Sequence, residues 1–351
     1  MLQNMEEVVR QALLRGASDL HLSAGLAPMV RVHGELRHLD ADAPPWSDAQ
    51  VRQVLQALMP CARWTAFQTQ LEDDFAVTHH EWGRWRVNAF QHQRGTALAL
   101  RFIPTAVPRL ADLHAPALLS ALMQQAHGLV LVTGPTGCGK STLLAAMLDH
   151  ANRTRPGHLL TIEDPIEFVH TPQQCLVHQR EVGLHTHSFE AALRSALRED
   201  PDVILIGELR DLATIRLALT AAETGHLVLA SLHTASAPQA VDRMVDVFPA
   251  EEKDTVRSLL ADALLAVLTQ TLCPRPDGAG RVAAHEVMVA TPGVRNLIRE
   301  GKTAQLYSAL QTGAQAGMHT LDQSLQALHQ SGQISSDTAR QLARFPASVS
   351  P

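Results

Sequence analysis

Nine consecutive residues, Gly134-Pro135-Thr136-Gly137-Cys138-Gly139-Lys140-Ser141-Thr142, have the types and spacing to hold a phosphate chain. They fit G-x-x-x-x-G-K-[ST] without a gap. Glycines let backbone N–H groups come close to the β-phosphate, and a helix starting here adds partial positive charge. Lys140 is placed to bridge the β- and γ-phosphates, and the Ser141 hydroxyl to hold Mg²⁺. Cys138 fills a variable position. It is either a redox brake or simply a residue tolerated there, and a reactive thiol needs a depressed pKa that spacing cannot supply.

A nucleotide hydrolase also needs acids that order the metal and position water. Two apolar runs end in such acids, Leu159–Ile162 before Glu163-Asp164 and Val203–Ile206 before Gly207-Glu208. Carboxylates just beyond a strand stand at the carboxyl edge of an open α/β sheet, where ligands bind. Glu208 is assigned to water positioning and to Mg²⁺ through water, and Glu163 is the second polarising acid. Which of the two removes the proton stays open. A third run, Leu227–Leu232, is bracketed by His226 and His233. These are γ-phosphate sensors, braces for Glu208, or ordinary histidines. Arg84, Arg86, Arg94 and Arg101 are either fingers reaching a neighbouring subunit's nucleotide or plain exposed strand arginines.

The elements that position these residues follow from periodicity. Leu129–Val132 reads as a buried strand, and the chain after Lys140 as a helix. From about residue 112, apolar strand runs alternate with helical patterns such as Phe189–Arg198 and Leu212–Glu223, the signature of a mostly parallel sheet flanked by helices. Before it, a helix over 6–14, a turn at Gly34, and a helix bearing Val51, Val54, Leu55, Leu58 and Met59 capped by Ser47 or Asp48 are expected. Strands at 75–77, 84–89 and 97–103 complete a compact α+β domain over 1–103. Pro104 to Pro108 opens a linker over 104–111, leading to a core over 112–250. Beyond 250 the strands are expected largely to stop. Val256, Leu259, Leu260, Ala263, Leu264, Val267 and Leu268 form one helix stripe, and Leu321, Leu325 and Leu328 another, giving a helical subdomain over 251–346 and a disordered tail over 347–351.

Composition sets the class. The 351 residues are 46% hydrophobic and 18% charged, as in a soluble globular protein. No apolar run is long enough to cross a bilayer, and Met-Leu-Gln-Asn-Met-Glu-Glu is not the start of a secretory signal, so a cytoplasmic protein is expected. Net charge of −6 argues against a general nucleic-acid binder. The four cysteines form no C-x-x-C pair, and the 19 histidines form no H-E-x-x-H pattern.

The ordered motifs resemble the PilT-type retraction ATPases of type IV pili, within the secretion ATPase superfamily. The likeness covers nearly the whole chain. Ala17-Ser-Asp-Leu-His-Leu-Ser-Ala-Gly and Arg31-Val-His-Gly-Glu-Leu resemble the opening of that family's PAS-like N-terminal domain. Thr161-Ile-Glu-Asp-Pro-Ile-Glu-Phe is similar to its Asp box, Ile206-Gly-Glu-Leu-Arg-Asp to its Walker B ending, and Thr224-Gly-His-Leu-Val-Leu-Ala-Ser-Leu-His-Thr to its His box. The resemblance implies an α/β fold with a RecA-like P-loop ATPase domain. It implies catalytic roles for Glu163, Glu208, His226 and His233, and trans-acting roles for Arg86, Arg94 and Arg101, with Arg243 as a further nucleotide-site arginine. It further implies a homohexamer using ATP and Mg²⁺ at the inner face of the inner membrane. That ring would act on a membrane platform protein, meeting the bilayer only through partners, alone or with a paralogous ring.

Gly293-Val294-Arg295-Asn296-Leu297-Ile298 resembles the Ala-Ile-Arg-Asn-Leu-Ile signature that separates retraction from extension ATPases, so Arg295, Asn296, Leu297 and Ile298 are implied to couple turnover to movement. Extension and type II secretion ATPases normally carry a longer N-terminus and a tetracysteine zinc insert, which this sequence does not show. Two departures, Leu184-His185 where the family has Arg-Asp and Ala235 for a usual Asn, leave room for an accessory retraction paralogue, and a secretion or DNA-uptake traffic ATPase is the other alternative within the class. A nucleotide-binding scaffold without turnover is the alternative of another class.

Overall fold

The computed structural model describes residues 2–32, 34–104, 106–278 and 280–346. Residues 347–351, expected to be a disordered tail, lie outside the described residues, as do His33 and Thr105. The chain divides into two compact units, Met1–Ala106 with Pro165–Val169, and Val107–Asp164 with His170–Pro351.

The first unit opens with α1 (Leu2–Leu14), β1 (Asp19–Ser23), β2 (Met29–Val32) and β3 (Glu35–His38). It continues through α2 (Asp48–Leu58), α3 (Cys61–Gln70), β4 (Glu72–His79), β5 (Gly83–His92) and β6 (Gly95–Ile103). Ser47 caps α2 and Gln50 returns the bond in a capping box, an arrangement contributing about 1 kcal/mol. The six strands form one antiparallel sheet in the order β3-β2-β1-β6-β5-β4, a PAS-like α+β layer. Alternation divides its two faces. Leu20, Val30, Val87 and Leu100 face a core shared with Met5, Val51, Leu55 and Phe67. Between them in sequence, Arg31 pairs with Asp19, Asp19 with Arg101 and Arg101 with Arg86, so a charged row crosses the other face.

The second unit is RecA-like. It comprises α4 (Leu118–Leu122), β7 (Gly128–Thr133), α5 (Lys140–Thr154), β8 (Gly157–Glu163), β9 (Cys175–Glu181), α6 (Phe189–Ala196), β10 (Val203–Ile206), α7 (Leu212–Glu223) and β11 (Leu227–Leu232). Then follow α8 (Ala237–Asp246), α9 (Lys253–Ala263), β12 (Leu264–Pro274), β13 (Arg281–Val289), α10 (Pro292–Arg299), α11 (Leu306–Thr312), α12 (Leu321–Gln330) and α13 (Ser336–Leu342). Seven strands run in the order β13-β12-β7-β11-β10-β8-β9, all parallel to their neighbours except β13. β7 is buried throughout, and apolar from Leu129 to Val132, because both faces are covered. Leu129 and Leu131 pack with residues of α6, α7 and α9, and Val130 and Val132 with α4 and α5.

One stretch departs from expectation. The apolar stripe from Val256 to Leu268 is not a single helix: α9 stops at Ala263 and Leu264 begins an eleven-residue strand. With β13 it extends the central sheet, so the helical C-terminal part begins at α10. Positions 264, 267 and 268 suit a helix face and a buried strand equally well. The strand wins because β7 offers it a hydrogen-bonded edge.

Candidate functional site

The phosphate loop leaves the carboxyl end of β7 and ends in α5, whose first residues are Lys140 and Ser141. Two of its glycines are demanded by space. At Gly134 (φ +140°) a Cβ would lie 2.5 Å from the Gln270 carbonyl oxygen, and at Gly139 (φ +90°) 2.8 Å from the Gln270 amide nitrogen. Lys140 is 8% exposed, and its ammonium curls onto the loop, donating to the carbonyls of Gly134 (2.8 Å) and Pro135 (3.1 Å).

The two acids stand at adjacent strand ends. Ile162 of β8 is paired with Ile206 of β10, and the Gly207 N–H donates to the Ile162 carbonyl at 2.8 Å, so Glu163 and Glu208 leave the same sheet edge. Thr161 Oγ1 donates to Glu163 Oε1 at 2.7 Å, and Gln179 Nε2 donates to the same oxygen at 3.3 Å. Glu208 Oε2 lies 2.8 Å from Arg210 Nη2, and Oε1 lies 3.4 Å from His233 Nε2. Burial pushes the Glu208 carboxyl up, but Arg210 first, then His233 and Lys140, outweigh it and hold the group below its ordinary value. The other ring nitrogen of His233, Nδ1, is 3.5 Å from both Lys140 Nζ and Thr136 Oγ1. One imidazole thus joins the loop to the acid.

His226 is placed elsewhere. It precedes β11, which runs parallel to β7, so it sits at the amino edge of the sheet, about 20 Å of strand away from the loop at ~3.3 Å per residue. Its Nδ1 meets the Ala221 carbonyl at 3.1 Å, and its own carbonyl accepts from Gly128. Bracketing a strand with two histidines necessarily puts them at opposite edges, so of these two only His233 reaches the phosphate loop.

Arg86, Arg94 and Arg101 lie in the first unit, each with a partner there. Arg86 reaches Asp74 at 2.7 Å and Glu167 at 3.6 Å, and Arg101 reaches Asp19 at 2.8 Å. Arg94, in the β5–β6 turn, donates to the Ala24 carbonyl at 3.3 Å. Arg84 holds the Ile166 and Glu167 carbonyls. Arg243 is exposed in the last turn of α8. Cys138 is buried, and burial pushes its thiol up with Lys140 opposing, which leaves little thiolate for redox chemistry.

The coupling stretch is α10. Asn296 is exposed and donates to Glu300 at 3.0 Å, and Leu297 is partly buried. Ile298 is fully buried in the core, so it is not available to a partner. Arg295 donates to the carbonyls of Ala290, Ala261 and Asp262. It closes the end of α9 where that helix turns directly into β12.

The donor set suits a magnesium nucleotide. Mg²⁺ bound with a triphosphate keeps most of its waters and asks the protein for one or two oxygens. The Ser141 hydroxyl in the first turn of α5 meets that demand, the ionised Glu208 carboxylate can receive the metal's waters, and Gly134 and Gly139 leave the close backbone approach a phosphate needs.

A mostly parallel sheet with a phosphate loop and paired acids at its carboxyl edge defines a P-loop nucleoside triphosphatase. The chain belongs to the type II/IV secretion system protein family, whose model matches residues 1–339. It is 53% identical to the type IV pilus retractation ATPase PilT of Pseudomonas aeruginosa over 98% of this chain and 99% of that protein. To the type IV pilus ATPase PilU of the same organism it is 41% identical, over 95% of this chain and 87% of that one. The crystal structure of the pilus retraction motor PilT with bound ADP matches with a TM-score of 0.89 at 40% identity, covering 97% of each chain.

Proposed function

We propose that this protein is one subunit of a homohexameric motor that hydrolyses Mg-ATP to retract a type IV pilus, the movement behind twitching. The catalytic half of the proposal rests on one observation: His233 links Lys140 and Glu208 at a single sheet edge. Lys140 offers its charge to the β- and γ-phosphates, exchanging its present carbonyl partners for phosphate oxygens. Bound Mg²⁺ would neutralise charge on those phosphates, held by Ser141 and, through water, Glu208. Glu163 and Glu208 orient the attacking water and receive its proton between them, and His233 senses the γ-phosphate by holding both the loop and Glu208. Arg86, Arg94 and Arg101 of a neighbouring subunit meet the charge that develops on the γ-phosphate.

The mechanical half rests on similarity. PilT of Pseudomonas aeruginosa carries retraction in its name and stands at 53% identity, against 41% for PilU, which favours the principal retraction motor over an accessory paralogue. The ring would work in the cytoplasm against a platform protein of the inner membrane. A secretion or DNA-uptake traffic ATPase is the second reading within the class. A scaffold without turnover has no use for Lys140 and two oriented acids.

Purified hexamer at saturating Mg-ATP tests the catalytic half. Wild type should turn over, whereas Glu208→Gln should bind ATP and hydrolyse it at least about a hundredfold more slowly, the usual scale for losing a group that positions the nucleophile. Negligible wild-type turnover supports the scaffold instead.

A further inference from the structure

β12 runs beside β7, and Thr269 lies opposite Thr133 with their hydroxyls 2.8 Å apart. The next residues on the two strands are Gln270 and Gly134, where strand gives way to phosphate loop. Gln270 is buried, and both ends of its amide are engaged. Its Nε2 donates to the Cys138 carbonyl at 2.5 Å, and its Oε1 lies 3.0 Å from Nε2 of His285, its cross-strand partner on β13. A carbonyl only accepts, so the NH₂ end must face Cys138 and the oxygen must face His285. His285 therefore carries a proton on Nε2. Burial pushes its pKa down to about 4, so the ring is neutral and a single tautomer satisfies the pair.

A planar trans peptide points its C=O and the following N–H in opposite directions. Drawing the Cys138 carbonyl back onto β12 therefore turns the Gly139 N–H away from that strand, toward the hollow of the loop. An anion-binding nest depends on such orientation, since each donor must already face the phosphate before it arrives. Gln270 also explains the two glycines that pack on it: a side chain at Gly134 or Gly139 would meet its backbone oxygen or its amide nitrogen.

We propose that Gln270, oriented by His285, is a positioning residue for the phosphate loop: it fixes the Cys138–Gly139 peptide so that the Gly139 N–H faces a bound phosphate. The inference rests on reading residues 134–142 as the nucleotide site. Gln270 acts through the loop and His285 acts through Gln270. A merely structural polar pair would change stability alone, whereas a positioning pair changes phosphate affinity in a defined order of variants.

The experiment measures the Kd of Mg-ATP and Mg-ADP on the full chain, with thermal unfolding of the ligand-free protein alongside. Gln270→Leu keeps the volume and removes the donor. It should weaken Mg-ATP roughly tenfold, the scale of one buried hydrogen bond left unmade. His285→Leu should weaken it less, and His285→Gln should restore it, because the glutamine amide can donate to Gln270 Oε1. The Gln270→Leu/His285→Leu double variant should bind no worse than Gln270→Leu alone. Affinity within about twofold of wild type in Gln270→Leu, with a lower unfolding temperature, would overturn the proposal, as would losses that add in the double variant. Should Gln270→Leu fail to fold, unchanged affinity in His285→Leu overturns it equally. Lys140→Ala serves as the control: wild-type ATP affinity there would sink the nucleotide-site reading itself, independently of Gln270.

Discussion

Glu208 is where burial and charge compete most plainly. Burial favours its protonated form, and Arg210, His233 and Lys140 together reverse that preference. With the folded value depressed, the carboxylate's contribution to stability is fully present above the ordinary carboxylate range. It is lost as pH falls through the depressed value. The acid limb of turnover should therefore lie below the ordinary glutamate value. Arg210→Ala removes the largest of the lowering contacts and should move that limb toward neutral pH in a kcat–pH profile, and an unmoved limb would mean that Glu208 is not the group titrating. That Lys140, Ser141, Glu163, Glu208 and His233 stand at one edge of the sheet is legible in the sequence, because motif spacing and strand-end placement follow directly from chain geometry. The placement of His226 at the opposite edge cannot be read from spacing, because a bracketed strand looks the same from either end until its direction in the sheet is fixed. Gln270 was invisible, since its contact with Cys138 spans 132 positions and depends on the register between β7 and β12.

At the scale of elements, the junction of α9 and β12 decides how the α10 stretch should be probed. No glycine or proline separates helix from strand there, and the last carbonyls of α9 find a donor in Arg295, which lies 33 and 34 positions away. That is why the periodicity of Val256 to Leu268 reads as one helix: the signal that stops it is tertiary. The β-branched Val267, Thr269 and Thr271 were the local hint that the second half is a strand. β9 leaves no local signal for a related reason, being a half-exposed edge strand without an apolar run. Removing Arg295 leaves partly buried carbonyls without their donor, at a cost of about 1–3 kcal/mol, so an Arg295→Ala variant mixes stability with coupling. Asn296→Ala separates them. Its bond to Glu300 is exposed to solvent and contributes little to stability. Asn296→Ala should keep the wild-type melting temperature and ATPase rate yet abolish twitching, and intact motility would remove the coupling role.

For the whole molecule, the proposal makes each nucleotide site depend on two subunits. Arg101 is itself largely exposed but its partner Asp19 is buried, so removing the arginine leaves that carboxylate with the bond from the Ser18 hydroxyl. Subunits carrying Lys140→Ala and subunits carrying Arg94→Ala with Arg101→Ala should each be inactive as pure rings. Mixed rings should recover ATPase activity at interfaces where an intact loop meets intact arginines, and mixtures that stay inactive at every ratio would contradict a shared site. The parallel core is readable from alternating strand and helix signals, because a sheet covered on both faces leaves continuous apolar runs. The place of β12 and β13 in that sheet was not, since joining the edge of β7 is a pairing choice that no local pattern encodes. The most direct test of the motor is made in cells: delete the gene and count surface pili while scoring twitching, with complementation by wild type and by Glu208→Gln. Retraction predicts hyperpiliated, non-twitching cells rescued by wild type and not by Glu208→Gln; bald cells would contradict it and indicate assembly.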